Sequence, residues 1–218
     1  MDYVDLGILA QDWAFDENLR GHWKFDGDTA DSSIYDSTSV LIGNPVWDSN
    51  GRINGAISLD GNGDLVRVED YFGVNGKASR TVAAWIKTSQ PGQIVIWGEQ
   101  EIAGAKWEFL VNASGHISLD VGFATISGST DLRDGQWYHI AVVLDSDGSP
   151  NVNEIHLYVD GIEEAVPSDS QTISTSGARK VKIGVFSYSP VYFNGLIDDV
   201  RIYDRVLSQA EIDALVVM

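Results

Sequence analysis

From Gly21 onward the chain is a succession of short runs rich in Val, Ile, Trp, Tyr and Phe, each closed by a cluster of Gly, Asn, Asp or Ser. The runs fall at 22–25, 55–60, 64–69, 79–87, 93–99, 106–112, 115–121, 137–144, 154–160, 180–186 and 192–203. β-Branched and aromatic side chains suit a pleated, half-buried surface, and glycine takes a positive φ in the connecting turns at little cost. Asp60-Gly61-Asn62-Gly63-Asp64 reads as a turn between two strands, and Ser114-Gly115 and Asp160-Gly161 as hairpin turns. This many short strands must bury their apolar faces against one another. The expected fold is therefore all-β, a two-sheet antiparallel jelly-roll sandwich. One short C-terminal helix over 208–216 closes it: Ser208 and Glu211 form a capping box, and Leu207, Ile212 and Leu215 dock it.

At 218 residues the chain fits one large β domain or two small ones, and 44% hydrophobic content is ample for a packed core. The net charge of −18 argues against nucleic acid and anionic membranes as partners, since both need a basic surface. It suits solubility, or a secreted protein that binds calcium through carboxylates. No cysteine is present, so disulfides, thiolate zinc sites and cysteine nucleophiles are excluded together. No run approaches the ~18 apolar residues of a membrane span. The N-terminus shows no basic region followed by an apolar stretch, so any secretion signal is expected outside this segment of a larger chain.

Within the closing run Leu196, Asp198, Val200 and Ile202 share one face, because side chains alternate with period two. A carboxylate among apolar residues is costly unless a cation or several donors satisfy it, so Asp198 is the first candidate for metal binding. Asp199 shares the other face with Arg201, as a surface ion pair of little weight. In the run 137–144 both faces are largely apolar, as for a central strand covered on both sides, and His139 fits that pattern as a buried histidine rather than a ligand.

Residues 1–20 differ from the rest. Leu6, Leu9 and Trp13 form one helical stripe within Asp5-Leu6-Gly7-Ile8-Leu9-Ala10-Gln11-Asp12-Trp13, which predicts a short N-terminal helix. This piece resembles the second half of a dockerin repeat, without the loop that would supply calcium ligands. It is read as a linker or dockerin-like remnant preceding a domain over 21–218.

Six segments in order carry a second resemblance. They are Gly21-His22-Trp23-Lys24-Phe25-Asp26 with Asp31-Ser32-Ser33; Asn54-Gly55-Ala56-Ile57-Ser58-Leu59-Asp60-Gly61; Thr81-Val82-Ala83-Ala84-Trp85-Ile86-Lys87; Gly135-Gln136-Trp137-Tyr138-His139-Ile140-Ala141-Val142-Val143; Leu157-Tyr158-Val159-Asp160-Gly161; and Phe193–Tyr203 with its Leu-Ser-x-x-Glu-Ile helix. Together they resemble the laminin-G-like jelly roll of the concanavalin A-like lectin and glucanase superfamily. That resemblance implies Trp23, Trp85 and Trp137 in the core. It also implies a structural calcium where the first and last strands meet, near Asp26, Asp28, Asp31 and Asp198. Calcium takes six to eight hard oxygens from carboxylates, carbonyls and water, and Gly27 would let the 26–31 loop turn several inward.

A sugar site combines aromatic platforms with carboxylates and amides. The richest such set is Trp97, Glu99, Glu101 and Trp107, joined by Tyr188 and Tyr192 from the loop before the closing strand. Glucanases of the superfamily project Glu, Asp and Glu from alternate positions of one strand; no Glu-x-Asp-x-x-Glu run occurs here, and no catalytic residue is assigned. The expected function is a non-catalytic, calcium-stabilised carbohydrate-binding module of a larger bacterial protein, secreted or at the cell surface. The alternatives are a protein-binding or structural adhesion module, with an extracellular protein as partner, and a degenerate glycoside hydrolase.

Overall fold

The computed structural model describes residues 16–166, 169–185 and 191–218. The helix expected within residues 5–13 and the side chain of Tyr188 lie outside those residues. In chain order the strands are β1 (Leu19–Trp23), β2 (Ser39–Ile42), β3 (Val46–Ile53), β4 (Gly55–Asp60), β5 (Leu65–Val68), β6 (Arg80–Thr88), β7 (Gly92–Gly98), β8 (Lys106–Val111), β9 (His116–Asp120), β10 (Thr125–Asp131), β11 (Trp137–Leu144), β12 (Ile155–Val159), β13 (Ile162–Glu164), β14 (Lys182–Ile183) and β15 (Asn194–Tyr203). Helix α1 (Gln209–Val216) follows the last strand.

The strands form two antiparallel sheets, ordered β13-β12-β11-β6-β15-β4-β3 and β10-β9-β8-β7-β14-β5-β2, with β1 also paired to β15. Their facing surfaces enclose one core that includes Trp23, Ile57, Val82, Trp107, Phe109, Ile140, Val142, Ile197, Val200 and Ile202. A second apolar cluster lies on the outer face of the first sheet, where Leu207, Ile212 and Leu215 of the closing helix segment cover Ala83, Ala141, Val143 and Tyr203. Strand β11 is thus covered on both faces, as its sequence requires. The Ser208–Glu211 capping box is present at the N-terminus of α1.

Two expectations change. Trp137 is half-buried rather than core, because it opens β11 at the sheet margin. Alternation along β15 also breaks. Ile197, Val200 and Ile202 all enter the core, so the phase slips by one residue at Asp198-Asp199, where the register with β6 shifts. Asp198 therefore does not share the core face of Val200 and Ile202, and a β-bulge is what turns it away.

Candidate functional site

One edge of β15 is shared by two short strands. Its first half pairs with β4 through Asn194–Ile197, and its second half with β1 through Val200–Tyr203. Asp198 and Asp199 fall in the gap between them. Chain reversals converge on this gap, and three non-glycine residues there hold left-handed backbone: Phe25 at φ 56°, Asn54 at φ 58° and Asp199 at φ 49°. Such conformations cost of order 1–3 kcal/mol each and cluster where function or tight packing demands them. Gly55 belongs to the same crossing, because a Cβ there would lie 3.0 Å from the Asp26 Cα.

The β3–β4 turn folds over the outer face at this point. Arg52 stacks its guanidinium 4.3 Å from the Trp85 ring centroid, and the Ile53 amide donates to Asp198 Oδ2 at 2.8 Å. Asp198 is completely buried, yet its Oδ1 has no hydrogen-bond partner among the described residues. Burial, reinforced by neighbouring Asp199 and opposed by the backbone amide of Ile53, pushes its carboxyl up to about 7.

Asp199 behaves oppositely. Burial would raise it, but the hydrogen bond from His22 and the charge of Arg201 outweigh burial and hold it at about 2. His22 Nε2 lies 2.6 Å from Asp199 Oδ1, and Arg201 Nη2 lies 3.1 Å from Oδ2. Burial lowers the His22 pKa despite that carboxylate, and its Nε2–H donates to the ionised Asp199. The expected surface pair Asp199–Arg201 is instead buried, at 6% and 4% exposure.

Two adjoining depressions open here. A pocket of about 210 Å³ is lined by His22, Lys24, Asp26, Asn54, Asp198 and Arg201 among others. Beside it, sharing Asp26 and Asn54, lies an open cleft of about 500 Å³ lined by Gly27, Trp47, Asp48, Ser49 and Gly55 as well. Trp47 is half-buried, its ring 6.4 Å from that of Phe25. One aromatic ring, two carboxylates and an amide therefore share one accessible cleft. Trp47, Asp48 and Asn54 were absent from the sequence-derived set. Trp47 packs one side against the core, and its mostly polar stretch, Val46-Trp47-Asp48-Ser49-Asn50, is the one signal that could have marked it as only partly buried.

Of the four aspartates expected to bind calcium, the fold brings Asp26 and Asp198 to one pocket and leaves the other two out. Asp31 spends Oδ1 on the His22 and Ser33 amides at 2.8 and 2.9 Å, and Oδ2 on the Ser37 amide at 3.0 Å. It knits β1 to the following loop. Asp28 is exposed and accepts from the Ala30 amide at 3.0 Å, a local turn contact. Among the described residues no group of three or more His, Asp or Glu side chains is arranged to hold a metal. The orphaned Asp198 oxygen beside Asp26 still fits a cation that completes its shell with carbonyls and water.

The expected aromatic platform is not at the surface. Trp97 and Trp107 face each other in register across β7 and β8, stacked at 5.5 Å and 18°, with 1% and 0% exposure. They point inward because their parity is that of Phe109 and Val111, so neither ring can meet a sugar. Trp97 donates to the Val74 carbonyl, and Arg80 sits 5.0 Å from the Trp107 ring. Glu99 is half-buried beside Arg179 at 3.4 Å, and Tyr192 is half-buried next to the Val185 bridge.

A family model described as the concanavalin A-like lectin/glucanases superfamily matches residues 60–213. A comparison with curated protein sequences found no match. Among solved structures, the chain is similar to domain 4 of AbnA, a GH43 extracellular arabinanase from Geobacillus stearothermophilus in complex with arabinotriose. The two share 21% identity at a TM-score of 0.71, over 91% of this chain and 98% of that one. It is also similar to the binding domain of Paraclostridial Mosquitocidal Protein 1, at 15% identity and TM-score 0.71, over 92% of this chain and 52% of that one. The botulinum neurotoxin serotype D binding domain matches at 15% identity and TM-score 0.68, over 93% and 52%. The chain spans about half the length of these two toxin domains, and at such identities the likeness is one of fold.

Proposed function

The chain belongs to the concanavalin A-like lectin/glucanase superfamily, and from that footing we propose that it is a non-catalytic carbohydrate-binding module that engages glycan in the cleft beside Trp47. Membership alone carries no activity, since one fold hosts many functions. The reading is carried by Trp47, a half-buried tryptophan lining an open cleft of about 500 Å³ with Asp26, Asp48 and Asn54. A sugar offers an apolar C–H face to the ring and hydroxyl edges to the carboxylates and the amide. The arabinanase domain in complex with arabinotriose supports a glycan of neutral pentose type among the first to test.

Calcium belongs to the same proposal, in reduced form. Asp26 and Asp198 would hold it, with Asn54 at the rim of the same pocket. The unpartnered Asp198 oxygen supports this, as a cation would satisfy an atom that no other described residue satisfies. Bound there, it would join the loop after β1 and the start of β4 to β15. The module is read as secreted or at the cell surface within a larger chain; the extracellular arabinanase supports this, and among the described residues no helix is long and apolar enough to cross a membrane.

A glycan array probed with the wild-type chain and with Trp47→Ala tests the site. Retention by the wild type and a loss of at least about tenfold in the variant is expected, the ~1–3 kcal/mol typical of one stacked aromatic ring. Binding unchanged in Trp47→Ala would sink the assignment. No retained glycan at all would favour the protein-binding alternative, for which the toxin binding domains are the relevant relatives in fold.

A further inference from the structure

The hairpin joining β9 to β10 closes through a hydrogen bond from the Val121 amide to the Ala124 carbonyl at 3.0 Å, leaving Gly122 and Phe123 as its two-residue tip. Both have positive φ, 81° and 64°. Turns of this kind strongly favour glycine or asparagine at such positions, and a bulky residue there is a true outlier. Phe123 is nevertheless held in this conformation, 80% exposed as a residue. The fold gains nothing from it: the ring packs into no core, and a glycine would make the same turn without the roughly 1–2 kcal/mol of left-handed strain.

A second apolar side chain stands beside it. Ile102, at the tip of the β7–β8 connection, is 57% exposed. The two loops are locked together, since the Gly104 amide donates to the Gly122 carbonyl at 3.3 Å and a Cβ on Gly122 would lie 2.9 Å from the Ile102 carbonyl oxygen. Glu101, also exposed, precedes Ile102. Two exposed apolar side chains and an exposed carboxylate are therefore carried on two hydrogen-bonded loops.

Size and charge decide what it takes. One phenyl ring and one isoleucine offer roughly 250 Å² of apolar surface, well short of the ~800 Å² per partner of a stable protein interface. A net charge of −18, with Glu101 at the pair, opposes an anionic membrane surface or an acidic glycan. A single neutral sugar ring matches both limits. We propose that Phe123 and Ile102 form a second saccharide contact, stacking the C–H face of a neutral sugar with Glu101 accepting from its hydroxyls. It lies at the sandwich edge opposite Trp47. Strand β10 is tied to β13 through Glu164, which accepts from Ser129 and Thr130, whereas β3 ends the same sheet on the other side. This deepens the glycan reading and rests on it.

Affinity electrophoresis in gels containing arabinan, xylan or β-glucan tests it, with the wild-type chain, Trp47→Ala, Phe123→Ala and Phe123→Gly. In the gel that retards the wild type, both Phe123 variants are expected to show a tenfold or greater rise in apparent Kd, as loss of one of two linked contacts predicts. Phe123→Gly should also melt no lower than the wild type, because strain is relieved and no core is lost. Retardation of the Phe123 variants equal to wild type, with Trp47→Ala unretarded, would overturn this inference and leave the first site standing. A lower melting temperature in Phe123→Gly would also overturn it, by making the residue structural. A wild type unretarded in all three gels would defeat the underlying glycan reading instead.

Discussion

His139 lies 2% exposed on the outer face of β11, its ring 5.3 Å from that of Trp85 in a T-shaped contact, and its Nδ1 has no partner among the described residues. Burial drives its pKa down to about 3, although the charge of Asp199 pulls the other way. In the unfolded chain the imidazole titrates near its ordinary value of about 6.5. Between those two values the unfolded state binds the extra proton, so stability falls as pH falls through the window. At pH 5 the part due to His139 is a loss of roughly 2 kcal/mol, worth roughly 4–8 °C in melting temperature relative to pH 7. His139→Phe keeps an aromatic ring against Trp85 and removes the titration. Asp198, held up to about 7, gains stability over the same window in both proteins, so the difference between them is what reads His139. Thermal melts of both proteins at pH 7 and pH 5 should show a smaller drop in the variant; equal drops would mean that His139 titrates normally in the fold.

Helix α1 shows what a single cap does for an element that covers a sheet. The Ser208 side chain accepts from the Glu211 amide, while Glu211 Oε2 accepts from the Ser208 amide at 2.7 Å. Glu211 Oε1 also meets Arg205 at 2.8 Å. Through this cap Ile212 and Leu215 are held over Ala141 and Val143. Ser208→Ala should cost about 1 kcal/mol, within the 0.5–2 kcal/mol range for lost N-caps, and lower the melting temperature by roughly 2–4 °C. An unchanged melt would mean that the Arg205–Glu211 pair alone fixes the turn. The cap was readable from Ser208 and Glu211 because it depends on residues three apart. Strands β2, β3, β10 and β13 were not predicted, and they are the four ends of the two sheets. An end strand has a neighbour on one side only, so its sequence need not be apolar, and polar edges also discourage aggregation. The Asp48-Ser49-Asn50-Gly51-Arg52 stretch of β3 carries no strand signature of its own.

For the whole molecule, the seam along β15 is where a bound ion would matter. Calcium held only by the folded chain stabilises it by mass action. At calcium a hundredfold above its Kd the gain is about 2.7 kcal/mol, or a melting temperature higher by roughly 5–10 °C than in EDTA. Asp198→Asn should abolish that difference, whereas Asp31→Asn should leave it in place while lowering both melts, since Asp31 caps backbone amides. A wild-type melt unmoved by EDTA would count against the metal.

The all-β class, the two covered faces of β11 and the capped helix were legible in the chain because each rests on local alternation, turn residues or short spacing. Asp198 stands out in the sequence by a shared apolar face that the bulge then removes. The site itself required the tertiary structure. Asp26 and Asn54 reach Trp47 on one side and Asp198 on the other only because β1 and β4 end against one edge of β15, and the His22–Asp199 contact joins residues 177 positions apart. Likewise Trp97 and Trp107 share the composition of a sugar platform with Trp47, and strand parity with depth in the sheet decided which ring faces the cleft. Alternation is written in the sequence; which face becomes the inside depends on what packs against it.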